Sequence, residues 1–508
     1  MILVLASVFF LNGLLNFIST KLNTSGSDHY YHLGLIRLIK KNRNRFISSW
    51  SNIIGHKNLS YPQLLHWILS FFEENRILKF SRYCGTLFSF LNLSGLLLIA
   101  WQYHDKFLIE VIELRVFILY IGLIYLFTPF NYVSWNAKNT GISARGLGTL
   151  LIQLYIANIL FWSDFSEIYF VLLGLTITLI VILSSQIGFQ YILLSSVFLS
   201  IALQNATIVL FPFLGVGLYF LLMPKTALNW VKGQLNHKYL YYKYLAKIFI
   251  LPKRPSIWRD FIYDFWIIFF KNPIKGLWYL YNNPAVNIVR GFPYIIPLLY
   301  IYTVSEPYYL DSLYKILFVS ILLFLLISFR KTRFLGEPER YVEFVAPFAI
   351  LQFVILFHET YILNSVLILC IILTSIEYYI SWNLLKRRRE NKHEKINALL
   401  KEIHSIKSPV RLFSNNVELM KYFLPEMNMK VLYPNITALT TGPFHFKEIY
   451  KTKYPIVSKS AINSLIKWAS INYFILDTSF DTESSEFEEP HFTMIKSIGI
   501  YKIYRIEN

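Results

Sequence analysis

The stretch "MILVLASVFFLNGLLNFISTKLNTSGSDHYYHLGLIRLIKK", residues 1–41, decides how the rest of the chain is read. Residues 1–18 carry no charge and are long enough to cross a bilayer as a helix. No basic n-region precedes them and no small-residue cleavage site follows, so they read as a retained span rather than a signal peptide. Asp28 then stands alone at the mouth of that span. Ser25 or Ser27 can cap a helix starting beside it. The helix dipole favours a carboxylate in the first turn. His32 lies four residues on, on the same face, and Arg37, Lys40 and Lys41 follow.

The pattern repeats along the 508 residues, which are 55% hydrophobic and 18% aromatic with a mean hydropathy of +0.45. That composition excludes an ordinary soluble domain. About eleven apolar segments have the length and periodicity of spans: 1–18, 84–101, 114–130, 147–163, 167–184, 188–203, 207–223, 291–304, 312–329, 342–358 and 362–383. The fold class is an all-α polytopic membrane protein with a small C-terminal α/β domain. Cys84 and Cys370 fall inside spans and read as packing residues. The net charge of +19 sits in loops, which suits lipid phosphates. No nucleic-acid module is present.

The connections are unequal. Loops 19–83, 131–146, 224–290 and 330–341 are substantial and the others are tight turns, so every long loop falls on one face together with the C-terminal region. Residues 61–72, "YPQLLHWILSFF", and 262–270, "IYDFWIIFF", are too short to span and read as interfacial or re-entrant. Lys among Tyr, Leu and Phe in "HKYLYYKYLAKIF" (237–249) suits the headgroup zone. The multi-span domain is expected to occupy 1–385. "KRRRENKHEK" reads as a solvated boundary to an α/β domain at 386–508, with a helix over 395–406, another over 460–470, and strands near 429–434, 472–479 and 499–506. No Gly-rich phosphate loop, metal-ligand spacing or internal repeat stands out.

Two further stretches could carry chemistry. "NAKNTGISARGLGTLL" (136–151) opens a span with Arg145 at its N-terminal end, where backbone N–H groups, the dipole and a guanidinium together suit a phosphate; Gly146 and Gly148 would permit close approach. An interfacial anchor is the plainer reading. "RKTRFLGEPERYVEFVAPFA" (330–349) crowds Glu337, Glu339 and Arg340 at the mouth of another span beside Tyr341, with Pro338 and Pro347 fixing local geometry. A structural salt bridge is the plainer reading there.

Taken together, the three stretches resemble the GT-C superfamily of integral-membrane glycosyltransferases, which includes protein O-mannosyltransferases, aminoarabinose transferases acting on lipid A and dolichol-phosphate-mannose-dependent enzymes. Asp28 in "SGSDHYYHL" sits where that superfamily places an acid, in the first long loop. "YPQLLH" (61–66) is similar to its Tyr-Pro segment, and "ISARGLGTLL" to its Ser-x-Arg-Leu region. "GEPERYVEFVAP" looks like the His-Lys-Glu-x-Arg-Phe…Pro signature at Glu339, Arg340, Tyr341 and Pro347, with Gly336 and Glu337 replacing the His-Lys pair.

The resemblance implies transfer of a sugar from a polyprenyl-phosphate donor to a hydroxyl on a lipid, glycan or protein, by one inverting displacement without a metal or other cofactor. Asp28 would be the general base. Arg145 and Arg340, with Lys138 and Lys331, would hold the donor phosphate. His32, Glu337, Glu339 and Tyr341 would orient groups or meet acceptor. It also implies an extracytoplasmic active face, on a prokaryotic plasma membrane or in the ER lumen, although basic loops by themselves favour the cytoplasm. An oligosaccharyltransferase would add a Trp-Trp-Asp-Tyr-Gly motif, absent here. A polymerase or ligase would not need an acid after the first span. A lipid or glycan transporter would favour charges inside spans and internal repeats.

Overall fold

The computed structural model describes residues 1–22, 27–54, 59–107, 112–132, 141–165, 168–243, 259–304, 311–329, 331–380, 383, 386–406, 409–433, 456–457, 459–479 and 492–506. The chain divides into two compact units. One comprises Met1–Asn23, Lys79–Leu222 and Lys253–Leu385; the other comprises Thr24–Leu78, Met223–Pro252 and Lys386–Asn508.

The first unit is helical: α1 (Ile2–Leu22), α4 (Glu74–Phe107, from Lys79 onward), α5 (Leu114–Leu126), α6 (Ala144–Phe165), α7 (Ile168–Ser184), α8 (Gln186–Ala202), α9 (Thr207–Leu222), α11 (Arg259–Lys271), α12 (Pro273–Tyr281), α13 (Pro284–Gly291), α14 (Ile295–Val304), α15 (Asp311–Ser328), α16 (Glu339–Glu343), α17 (Ala346–Phe357) and α18 (Tyr361–Ile380). α17 is buried along nearly its whole length, as an all-apolar helix must be when neighbours surround it. Large apolar side chains such as Leu172, Phe213, Leu221, Ile368 and Ile372 face outward, which water would not tolerate over so wide a surface. The chain is an integral membrane protein.

Each expected span coincides with an apolar helix, but many are shorter than expected. Among the described residues five helices are long and apolar enough to cross a membrane, or six if α13 and α14, bent by 90°, count as one. The reasons are local. Pro293, between α13 and α14, cannot continue the helix of 284–291. The 342–358 segment is divided into α16 and α17, the latter opening with Pro347 at its first turn. α5 stops at Leu126, before the 3-10 turn Pro129–Tyr132.

The second unit joins loop and C-terminal residues in one core. It contains α2 (Ser27–Lys41), α3 (Leu64–Ser70), α10 (Pro224–Leu240), α19 (Lys386–His404), a helix at Lys459–Ala469, and a sheet of β1 (Arg411–Ser414), β2 (Lys430–Val431), β3 (Tyr473–Asp477), β4 (Phe492–Ile498) and β5 (Tyr501–Ile506). The strand order is β2-β1-β3-β5-β4. β1 pairs in parallel with β2 and β3, while β3–β5 and β5–β4 are antiparallel. Tyr31, Leu35, Leu38, Trp50 and Ile53 of the first loop pack with Ile396, Phe413, Phe423 and Val431. Ile54 N–H donates to Val431 O at 2.9 Å and Val431 N–H to Asn52 O at 2.8 Å, covering the β2 edge that would otherwise expose unpaired backbone. Gly34 lets α2 approach this core: a Cβ there would lie 3.0 Å from the Leu424 carbonyl.

The charge run "KRRRENKHEK" begins α19, because Lys, Arg and Glu are good helix formers, and the second unit resumes at its first residue, Lys386. β1 and β4 are additional to the expected strands; β1 is four residues long and β4 is exposed along most of its length, so neither gives a strong alternation signal. Residues 244–249 of the 237–249 segment lie outside the described residues.

Candidate active site

In the second unit, Asp28 occupies the first turn of α2, as expected. Its side chain is 66% exposed. Lys421 Nζ donates to Asp28 Oδ1 at 2.7 Å and lies 2.7 Å from Glu418 Oε2. Ser27 Oγ donates to Glu418 at 3.1 Å. Ser27 is therefore inside the helix and bound to Glu418 rather than acting as its cap; Ser25 lies outside the described residues. Lys421 is deeply packed, and burial by itself would lower its ammonium. Glu418, then Tyr433 and Asp28, outweigh burial and hold it well above the ordinary lysine value.

His32 turns into the core of the unit. Its Nδ1 is 2.8 Å from His66 Nε2, and the rings stack with centroids 5.0 Å apart. Both rings are buried. Burial, then the neighbouring His32, pushes His66 well below the usual histidine value. His29 is pushed down to about 4 by burial and by His393. The 61–72 segment forms α3 and supplies His66; Gln63 bridges both backbone groups of Ile47, at 2.9 and 2.7 Å. Lys40 donates to the Phe72 carbonyl at 2.9 Å and Arg37 to that of Pro425 at 2.9 Å.

In the first unit, α6 starts at Ala144, so Arg145 sits at its N-terminal end as expected. Its side chain is 35% exposed and Nη1 lies 3.9 Å from Glu337 Oε2. Gly146 and Gly148 do not leave room for a ligand. A Cβ at Gly146 would fall 2.5 Å from the Phe88 ring, and one at Gly148 2.5 Å from Ser185 Oγ. They admit neighbouring helices, the usual role of small residues in membrane packing.

Arg340 is 3% exposed and already paired. Its Nε donates to Glu337 at 2.6 Å and its Nη1 lies 3.8 Å from Glu343. Glu339 is fully buried and accepts from Asn287 Nδ2 at 3.0 Å. Tyr341 is fully buried and accepts from Gln190. Such burial fits an orienting role for these two better than contact with an acceptor. Lys331 is exposed. Lys138 lies outside the described residues.

The network continues into residues the sequence reading passed over. Arg290 Nη2 donates to Asn287 at 2.8 Å, Nη1 pairs with Glu377, and the guanidinium lies 3.7 Å over the Tyr281 ring. Tyr281 O–H donates to Glu377 at 2.6 Å. Arg290 and Glu377 were legible as ionisable residues in apolar context. Lys421 and Glu418 gave no such signal, since charges are ordinary in a soluble-looking α/β domain. Among the described residues no three His, Cys, Asp or Glu side chains converge as a metal site.

Helical connectivity, the bent pair and a mixed C-terminal sheet together define an architecture that can be compared. In fold the chain is similar to ArnT. The likeness is to the crystal structure of ArnT from Cupriavidus metallidurans bound to undecaprenyl phosphate, with a TM-score of 0.56 over 98% of this chain and 97% of that chain, at 11% identity. No family model and no curated protein sequence matches. At that identity the likeness shows a shared fold alone.

Proposed function

We propose that the protein is a membrane glycosyltransferase of GT-C type, moving a sugar from a polyprenyl-phosphate donor to a hydroxyl acceptor by a metal-independent inverting displacement. The observation that carries this reading is the likeness in fold to ArnT, a glycosyltransferase, across nearly the whole of both chains. The ArnT structure contains undecaprenyl phosphate, which supports a polyprenyl-phosphate lipid as the partner here.

Asp28 is the general base. It takes the acceptor O–H proton as that oxygen attacks the anomeric carbon, and the bond from that carbon to the phosphate oxygen breaks with its electron pair leaving on polyprenyl phosphate. A base must come within about 2.6–3.2 Å of the hydroxyl, and the exposure of Asp28 supports such access. Arg145 meets the developing phosphate charge; its side chain is more accessible than that of Arg340. Arg340 acts through Glu337, which both arginines approach. Lys331 and Lys138 complete the cationic set, Glu337, Glu339 and Tyr341 orient it, and His32, on the same helix as Asp28, orients the base. A guanidinium neutralises the leaving group without a divalent cation.

The resemblance to the GT-C superfamily favours an extracytoplasmic active face.

The test is transfer by purified protein from a panel of radiolabelled polyprenyl-phosphate sugars, with EDTA present and the product anomer determined. Release of polyprenyl phosphate with an inverted product, unaffected by EDTA, is expected. No transfer from any donor, with translocation of the lipid-linked sugar across vesicles instead, would overturn the proposal.

A further inference from the structure

Lys421 belongs to the C-terminal segment, 393 residues from Asp28 in the chain, yet its ammonium is placed on that carboxylate. We infer that Lys421 is a positioning residue for the proposed base: it fixes the Asp28 carboxylate for proton transfer and keeps it ionised, making the C-terminal domain part of the catalytic apparatus. The inference rests on the proposed glycosyltransfer.

The geometry is asymmetric in a telling way. The Asp28 side chain is 66% exposed whereas that of Lys421 is 11% exposed. A surface ion pair between two mobile side chains holds little, but here the cation is anchored. Glu418 takes a second contact with Lys421 at 2.7 Å, and Ser27 ties Glu418 back to the start of α2 at 3.1 Å. Ser27, Asp28, Lys421 and Glu418 thus close a ring between the first turn of α2 and the segment around Val417–Met420. Lys421 thereby leaves a reactive face of Asp28 accessible while fixing its Oδ1. Beside it, Tyr422 packs on Tyr30 with centroids 4.7 Å apart, a second contact between α2 and the segment that carries Lys421. The other titratable groups bearing on the pair are Glu418, Tyr433 and Tyr422 around Lys421, and His29, which faces His393, beside Asp28.

The experiment compares pH profiles of sugar transfer by the full-length wild type, Lys421→Met, Lys421→Arg and Asp28→Asn, with melting temperatures measured alongside. Lys421→Met is expected to lower kcat at least about tenfold, part of the 10²–10⁴ a general base supplies. The donor KM should stay within about twofold, and the acid limb should move to higher pH because the carboxylate loses its cation. Lys421→Arg should restore both. A folded Lys421→Met with wild-type kcat and profile, while Asp28→Asn is inactive, overturns the positioning role and leaves the base intact. Activity in Asp28→Asn overturns the base itself and the inference with it. If no wild-type transfer is found, carboxylate ¹³C titration of aspartate-labelled protein decides: an Asp28 signal, identified by its loss in Asp28→Asn, that titrates alike with and without Lys421 overturns the inference. If Lys421→Met does not fold, Lys421→Gln and the arginine variant supply the same comparison.

Discussion

Arg340 Nε donates to Glu337 at 2.6 Å, and the same carboxylate oxygen lies 3.9 Å from Arg145. One glutamate thus links a buried guanidinium on α16 to a more accessible one on α6. Arg145→Gln is expected to leave the melting temperature within a few degrees and to lower kcat/KM for donor by about 10²-fold, the scale of one lost charge-stabilising donor. Arg340→Gln should instead remove the buried cation between Glu337 and Glu343, at a stability loss of about 3–5 kcal/mol, as when one partner of a buried pair is removed. Denaturation and steady-state kinetics on the two variants separate these outcomes.

Arg290 and Glu377 form the second buried pair, with Glu377 only 1% exposed. Glu377→Ala leaves the cation over Tyr281 without its carboxylate and is expected to destabilise the protein by about 3 kcal/mol or more. The double variant Arg290→Met with Glu377→Leu should recover most of that loss, because the isolated charge is gone. Thermal melts of the single and double variants provide the check.

Gly148→Val tests helix packing. Its Cβ would meet Ser185 Oγ at 2.5 Å, so α6 and α8 must separate. A loss of about 1–3 kcal/mol is expected from overpacking. Adding Ser185→Ala should relieve part of it. If Gly148 instead served ligand approach, its substitution would raise donor KM with no change in melting.

His29 is pushed down to about 4 in the folded protein from an ordinary value of 6.5. Between those values the unfolded chain binds the extra proton, so stability rises with pH. It is complete above about pH 6.5 and falls on acidification, by at most about 1.4 kcal/mol per pH unit for this one group. Melting temperature is expected to drop between pH 6.5 and 4.5, and His29→Phe should flatten that part of the curve.

The membrane architecture was readable because apolar length is a strong signal: α1, α15 and α18 match their expected segments closely. Pro293 was equally visible, but the 90° turn between α13 and α14 depends on how they pack, which hydropathy does not encode. Asp28 and Arg145 were expected at helix starts, and the structure places them there. What surrounds them was not legible. The pairing of Asp28 with Lys421 joins residues 393 apart, and no periodicity links them. His32 shares the first two turns of α2 with Asp28, yet its ring stacks on His66, a contact set by α3. Gly146 and Gly148 suggested a phosphate cradle because glycine serves ligand approach and helix contact with the same sequence signal.

The most direct test of the account is the rate of sugar transfer from a polyprenyl-phosphate donor by Asp28→Asn beside wild type, at saturating donor and with EDTA present. Loss of transfer by at least about 10²-fold in a variant that melts like wild type is predicted, the contribution expected of a general base. Equal rates in the two proteins would contradict the assignment and leave Asp28 as a charged residue at a helix start, paired with Lys421.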